Sequence, residues 1–252
     1  KFNEKLYFIP FSYSVYSKRF PSLRSFIIQL YLIPQIINFY FLNIPLSFLN
    51  IILFFIGLLG FYSIYEIGYA QNDCQAFFEK KGNPIFRCTR EFCQKIKVFV
   101  FYKISFFVII LVLIYLLDKN LLLFVSLCIL TLFLFLLHNF VGGNSKVKIF
   151  TFPSLRIMKI ITPFSLLSEK FFLASLFYIC YILIEQLILY IYNKDIFSIN
   201  FSEQKIKYFK LYYKIIILTI SLVIFLLFSS RVAWYLFLFG FYFIIYDIFK
   251  SS

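Results

Sequence analysis

Glu66 and Asp73 stand seven residues apart at the end of the second long apolar run. On a helix that spacing puts both carboxylates on one face, about 10 Å apart along the axis. Tyr62 and Tyr69 fall close to the same stripe, Asn72 adjoins it, and three of the seven glycines (Gly57, Gly60 and Gly68) lie in this segment. Small residues let a neighbouring helix or a ligand come close to the backbone. Next comes Glu79-Lys80-Lys81-Gly82-Asn83-Pro84-Ile85-Phe86-Arg87, then Arg90, Lys95 and Lys97: a basic loop that turns at Gly82-Asn83-Pro84. Acidic side chains beside such a loop suit a metal-bridged phosphate or diphosphate. Carboxylates hold a hard cation such as Mg²⁺, and Arg or Lys takes the remaining anionic oxygens. The plainer reading makes Glu66 and Asp73 a helix end meeting water, and the loop a basic patch on anionic lipid.

Other polar residues are isolated. Between two later apolar runs lie His138 (the only histidine), Asn139, Gly142-Gly143, Lys146, Lys148 and Arg156. Glu185 falls inside an apolar run and needs a partner or a polar cavity; Lys103 and Lys159 are the candidates. Cys74, Cys88, Cys93, Cys128 and Cys180 follow no disulfide framework. The first three share a loop without a histidine, so neither a disulfide nor a metal site is expected there.

The elements that must position these residues are read from composition. Of the 252 residues, 62% are hydrophobic, 24% aromatic and only 14% charged, with a mean hydropathy of +0.90. A soluble fold of this size cannot hide that much apolar surface. The apolar runs are mostly about 18 to 22 residues, the length that crosses about 30 Å of hydrocarbon at 1.5 Å per residue. A β-barrel would instead show alternating segments of about ten residues. The expectation is an all-α polytopic bundle of about eight transmembrane helices. The spans are Ser25–Leu42, Ile44–Tyr65, Val98–Leu117, Leu121–His138, Phe150–Leu167, Phe171–Tyr192, Ile215–Phe228 and Val232–Phe249. The fifth carries Pro153, Arg156, Lys159 and Pro163, and reads as tilted, broken or re-entrant. The seventh is short unless Tyr208–Tyr213 extends it.

Placing both termini in the cytoplasm leaves only Lys119, Lys170 and Arg231 outside, and 22 of the 25 basic residues inside. The chain then reads as one integral-membrane domain, 1–252. Residues 1–24 form an interfacial N-terminal segment and 66–97 a cytoplasmic motif loop. The net charge of +14 is accounted for by basic loops beside anionic headgroups, so membrane lipid is the expected partner and nucleic acid is not.

Tyr65-Glu66-Ile67-Gly68-Tyr69, Asn72-Asp73, Asn83-Pro84 and Arg87 together resemble the UbiA superfamily of intramembrane prenyltransferases, in particular a divergent bacterial branch with incomplete Asp-rich motifs. Asn72 and Asp73 fall on the first two positions of that family's Asn-Asp-x-x-Asp-x-x-x-Asp motif, while Ala76 and Lys80 stand at the later Asp positions. The resemblance implies a bundle of eight or nine spans in the bacterial cytoplasmic membrane, with its active face cytoplasmic. It implies Asp73, Asn72 and Glu66 as catalytic residues. It implies Mg²⁺ on Asp73 and on Asp195 from a second acidic loop, and substrate phosphate on Arg87, Lys146, Arg156, His138 and Tyr69.

The function so implied is transfer from or to an isoprenoid, a prenyl diphosphate or a polyprenyl phosphate. A prenyl or phosphoribosyl group moves and diphosphate is released. The alternative is a non-catalytic structural membrane subunit of a larger complex, for instance an organellar respiratory one, in which Phe-rich helices pack on partners and the polar residues carry no chemistry.

Overall fold

A chain in hydrocarbon must satisfy its backbone internally, and a helix does so within each segment. The computed structural model describes residues 6–17, 33–79, 88–117, 120–140, 146–175, 203–228 and 233–238, with scattered positions at 179–190 and 240–244. Among these residues the fold is all helical. The helices are α1 (Ser12–Tyr16), α2 (Ile33–Phe41), α3 (Phe48–Glu79), α4 (Arg90–Gln94), α5 (Ile96–Leu116), α6 (Leu121–Phe140), α7 (Lys148–Phe164) and α8 (Glu203–Phe228). A 3₁₀ turn, Phe171–Ala174, follows α7, and residues 233–238 are also helical.

Three of these helices are long and apolar enough to cross a membrane: Phe48–Phe78 within α3, α5, and α6. They cover the second, third and fourth expected spans. α8 begins at Glu203, so the aromatic stretch Tyr208–Tyr213 does lengthen the seventh. α7 is one continuous helix of 17 residues despite Pro153 and Pro163, about 26 Å long at 1.5 Å per residue. Residues 25–32 of the first expected span, and about half of the sixth and eighth, lie outside the described residues.

α3 is the central helix. With 32 residues it runs about 48 Å, well beyond the hydrocarbon thickness. Here the structure corrects the boundaries: residues 66–79, expected as loop, continue the helix, so the polar stripe stays in register. α5, α6 and α7 pack around α3. Gly60 and Gly68 permit this. A Cβ on Gly60 would stand 2.7 Å from Ile110 Cγ2 on α5, and one on Gly68 would collide with the Phe135 ring on α6. The opposite faces of α5 and α6 expose Phe101, Val108, Val112, Leu122, Ile129 and Leu136, as lipid-facing surfaces do.

Part of the N-terminal segment packs onto the bundle. Tyr7, Tyr13 and Ser14 are buried against α3, α4 and α5. The Tyr13 ring stacks on Phe92 with centroids 5.1 Å apart, and Tyr7 meets Phe99 edge-on at 5.5 Å. Phe11 opens α1 in the left-handed region (φ 68°), uncommon for a bulky residue, and its ring sits 4.2 Å from that of Tyr62. A second correction concerns cysteine. Cys74 of α3 and Cys93 of α4 form a disulfide, which ties the polar end of α3 to the short helix after the basic loop.

Candidate functional site

The polar end of α3 presents two clusters on different faces. The first is closed. Glu66 Oε1 accepts from the Ser14 backbone N–H at 2.7 Å, and Glu66 Oε2 from the Lys103 ammonium at 2.5 Å. Lys103 also donates to the Ile9 carbonyl at 2.6 Å and to Ser12 Oγ at 3.4 Å, so its three N–H donors each have a partner. Two turns further along the same face, Asp73 Oδ2 accepts from the Tyr13 hydroxyl at 2.7 Å. Glu66 and Lys103 are fully buried and Asp73 nearly so. An uncompensated charge there is prohibitively costly, and the returning N-terminal segment supplies the compensation. These contacts assign Glu66 to holding α1 and α5 against α3. Lys103 is spent on Glu66 within this network.

The second cluster is open. A cavity of about 370 Å³ lies between α3, α6 and α7 and reaches Tyr190. α3 supplies Tyr65, Tyr69 and Asn72; α6 supplies Phe135, His138 and Asn139; α7 supplies Lys148, Phe152, Leu155 and Arg156. Each set recurs at three- and four-residue steps, the spacing of one helix face. Four expected site residues therefore meet here: Tyr69, Asn72, His138 and Arg156.

Their geometry is defined by neighbours. His138 Nδ1 lies 2.8 Å from Thr151 Oγ1, and that hydroxyl is 3.4 Å from the Val147 carbonyl. With Thr151 donating to Val147, His138 donates through Nδ1 and keeps its lone pair on Nε2, an assignment made from the network. Arg156 places its guanidinium carbon 5.2 Å above the Phe152 ring, which in turn stacks on Tyr190 at 4.5 Å. Tyr69 donates its hydroxyl to that of Tyr65 at 3.3 Å. Asn139 donates to the Gly68 carbonyl at 3.3 Å, and its Oδ1 has no partner among the described residues. The wall is thus aromatic on two sides, with Lys148, Arg156 and His138 at its polar edge and no carboxylate among the described lining residues.

Other expected positions fall elsewhere. Asp73 does not line the cavity. Lys146 sits exposed in the turn before α7, and Lys148 lines the cavity in its place. Lys159, a candidate partner for Glu185 from the sequence, is buried, with its ammonium 5.6 Å from the Tyr62 ring centroid. Arg87, Glu185 and Asp195 lie outside the described residues. Mg²⁺, a hard cation, takes carboxylate or other oxygen ligands, and among the described residues the two expected carboxylates already accept hydrogen bonds. Asp73 is engaged by Tyr13 and Glu66 by Lys103, and the cavity offers cations and amides. The sequence singled out Lys148 and Asn139 without giving them a site role, and the Phe152–Tyr190 wall was missed. The signal available was the Lys148–Phe152–Arg156 spacing on α7. Compared with models of protein families, with curated proteins and with solved structures, the chain matches none.

Proposed function

We propose that the protein is a UbiA-like membrane transferase whose α3–α6–α7 cavity binds the anionic head of an isoprenoid phosphate or diphosphate. One observation carries this reading: Tyr69, Asn72, His138 and Arg156 meet in one cationic, aromatic-walled cavity at the polar end of membrane-length helices. Arg156 and Lys148 hold the anionic oxygens, with Arg offering the planar fork that suits phosphate. Asn72 and Asn139 orient the head group, and Tyr65, Phe135, Phe152 and Tyr190 exclude water from the carbon that reacts.

In the transfer step the bond from that carbon to the diphosphate oxygen breaks, and the oxygen leaves with the electron pair. An acceptor hydroxyl or carbon forms the new bond, and its proton passes to His138 Nε2. Stabilising the departing charge with fixed cations supplies the main rate effect. The rest of the proposal is eight spans, both termini and the cavity mouth on the cytoplasmic side of a bacterial membrane, and membrane lipid around the bundle. The basic-residue asymmetry supports it.

The structural-subunit reading draws on one observation: both carboxylates that match the family pattern, Glu66 and Asp73, are used in intramolecular contacts. Transfer of a labelled prenyl or phosphoribosyl group in membranes, with wild-type protein and Arg156→Ala, separates the two. Transfer that falls at least tenfold in the variant supports the enzyme. Absence of transfer from every isoprenoid donor, with co-purification of a fixed set of subunits, supports the structural role.

A further inference from the structure

Cys74, Cys88 and Cys93 bring their Sγ atoms within 4.8 Å of one another, and all three are buried. Cys88 Sγ lies 3.3 Å from Cys93 Sγ and donates to the Asp73 carbonyl at 3.3 Å. Tetrahedral zinc, with sulfur at about 2.3 Å, holds neighbouring thiolates about 3.8 Å apart. The three sulfurs are close enough to reach that spacing around one ion once the bond between Cys74 and Cys93 is opened. Their support is rigid on both sides: α3 carries Cys74, and α4, capped by Thr89 accepting from the Phe92 N–H at 3.2 Å, carries Cys93.

The Cys74–Cys93 disulfide is the oxidised form of this cluster. Its surroundings are the basic loops, which the charge asymmetry assigns to the cytoplasm, where dithiol and glutathione systems keep cysteines reduced. We propose that the reduced protein binds one zinc ion, or another thiophilic divalent cation, through Cys74, Cys88 and Cys93. A dithiol reductant gives two electrons and two protons to the Cys74–Cys93 bond and is itself oxidised to a disulfide. The metal then replaces the protons of the three thiols, and a water takes the fourth position of a tetrahedral ion. The ion does what the disulfide does in the oxidised form: it fastens the polar end of α3 to α4.

The test is cobalt(II) titration of the full chain, purified in detergent and reduced without oxygen. Cobalt reports thiolate ligation through charge-transfer absorption and tetrahedral geometry through its d–d bands. One equivalent with an intensity matching three thiolates is expected, displaced stoichiometrically by zinc. Cys88→Ser should lose one thiolate from the spectrum and Cys128→Ser none. The wild-type spectrum decides the matter even if a variant fails to fold. No tetrahedral thiolate spectrum from the reduced wild-type protein overturns the proposal. So does an unchanged spectrum in folded Cys88→Ser.

Discussion

Glu66 Oε2 lies 2.5 Å from the ammonium of Lys103, 37 residues further along the chain, and neither side chain is exposed. The pair joins the two helices that hold the N-terminal segment, and the Ser14 N–H and Ile9 carbonyl complete its hydrogen bonding. Removing one partner leaves a buried charge alone. Glu66→Gln or Lys103→Met should each lower unfolding stability by about 3–5 kcal/mol, and Glu66→Met with Lys103→Met together by clearly less than the sum. Thermal unfolding in detergent of the two single variants and the double variant checks this.

The Tyr13 hydroxyl donates to Asp73 Oδ2 at 2.7 Å and so links the N-terminal segment to α3. Hydrogen bonds to charged groups are worth about 1.5–3 kcal/mol. Tyr13→Phe should cost that much stability and leave phosphate binding in the cavity unchanged. Unfolding measurements beside a binding isotherm read both quantities. An increase in Mg²⁺-dependent transfer in this variant would mean that Asp73 had been masked, not merely supported.

Gly68 lets α3 come close to α6. A methyl group there meets the Phe135 ring, which is also a wall of the cavity. Gly68→Ala should destabilise by about 1–3 kcal/mol and disturb ligand binding as well. Phe135→Leu in the same chain should restore part of the stability. Recovery of stability without any recovery of binding would show that the ring itself contributes to recognition.

Cys88 gives a pH dependence. Burial, and then the nearby Asp73 carboxylate, push its thiol from 9.0 up to about 11. Its raised value means that the folded state keeps a proton the unfolded chain gives up. The stability from this group is present below pH 9 and is lost as pH rises toward 11. In metal-free protein, alkylation of Cys88 by iodoacetamide should be far slower than for a free thiol at pH 8 and should accelerate up to about pH 11. Mass spectrometry of the modified peptide gives the rates.

How legible these features were depended on how local they are. The runs that became α3, α5 and α6 were plain, because apolar length is a local property. The stripe on α3 was readable for the same reason, and so was Arg156 with His138 near the polar end. The use made of Glu66 and Asp73 was not readable. It depends on Tyr13 and Ser14 returning across more than 50 residues of chain, and no periodicity records that return. The boundary of α3 was missed because polar residues after Tyr65 look like a loop, yet they are the face that the N-terminal segment covers. Cys74 and Cys93 were passed over because 19 residues of sequence hide a Cα separation of 5.3 Å.

The proposed function requires the cavity between α3, α6 and α7 to recognise an anionic isoprenoid head group with its own cations. The direct measurement is equilibrium binding of a polyprenyl phosphate and of the matching polyprenol to purified wild-type protein and to Arg156→Ala, each with and without a chelator. The predicted result is phosphate-dependent binding, weakened about tenfold or more in Arg156→Ala and indifferent to the chelator, as expected for one lost charge-assisted contact of about 1.5–3 kcal/mol. Equal affinity for the alcohol and the phosphate, or binding unchanged by Arg156→Ala, would contradict it.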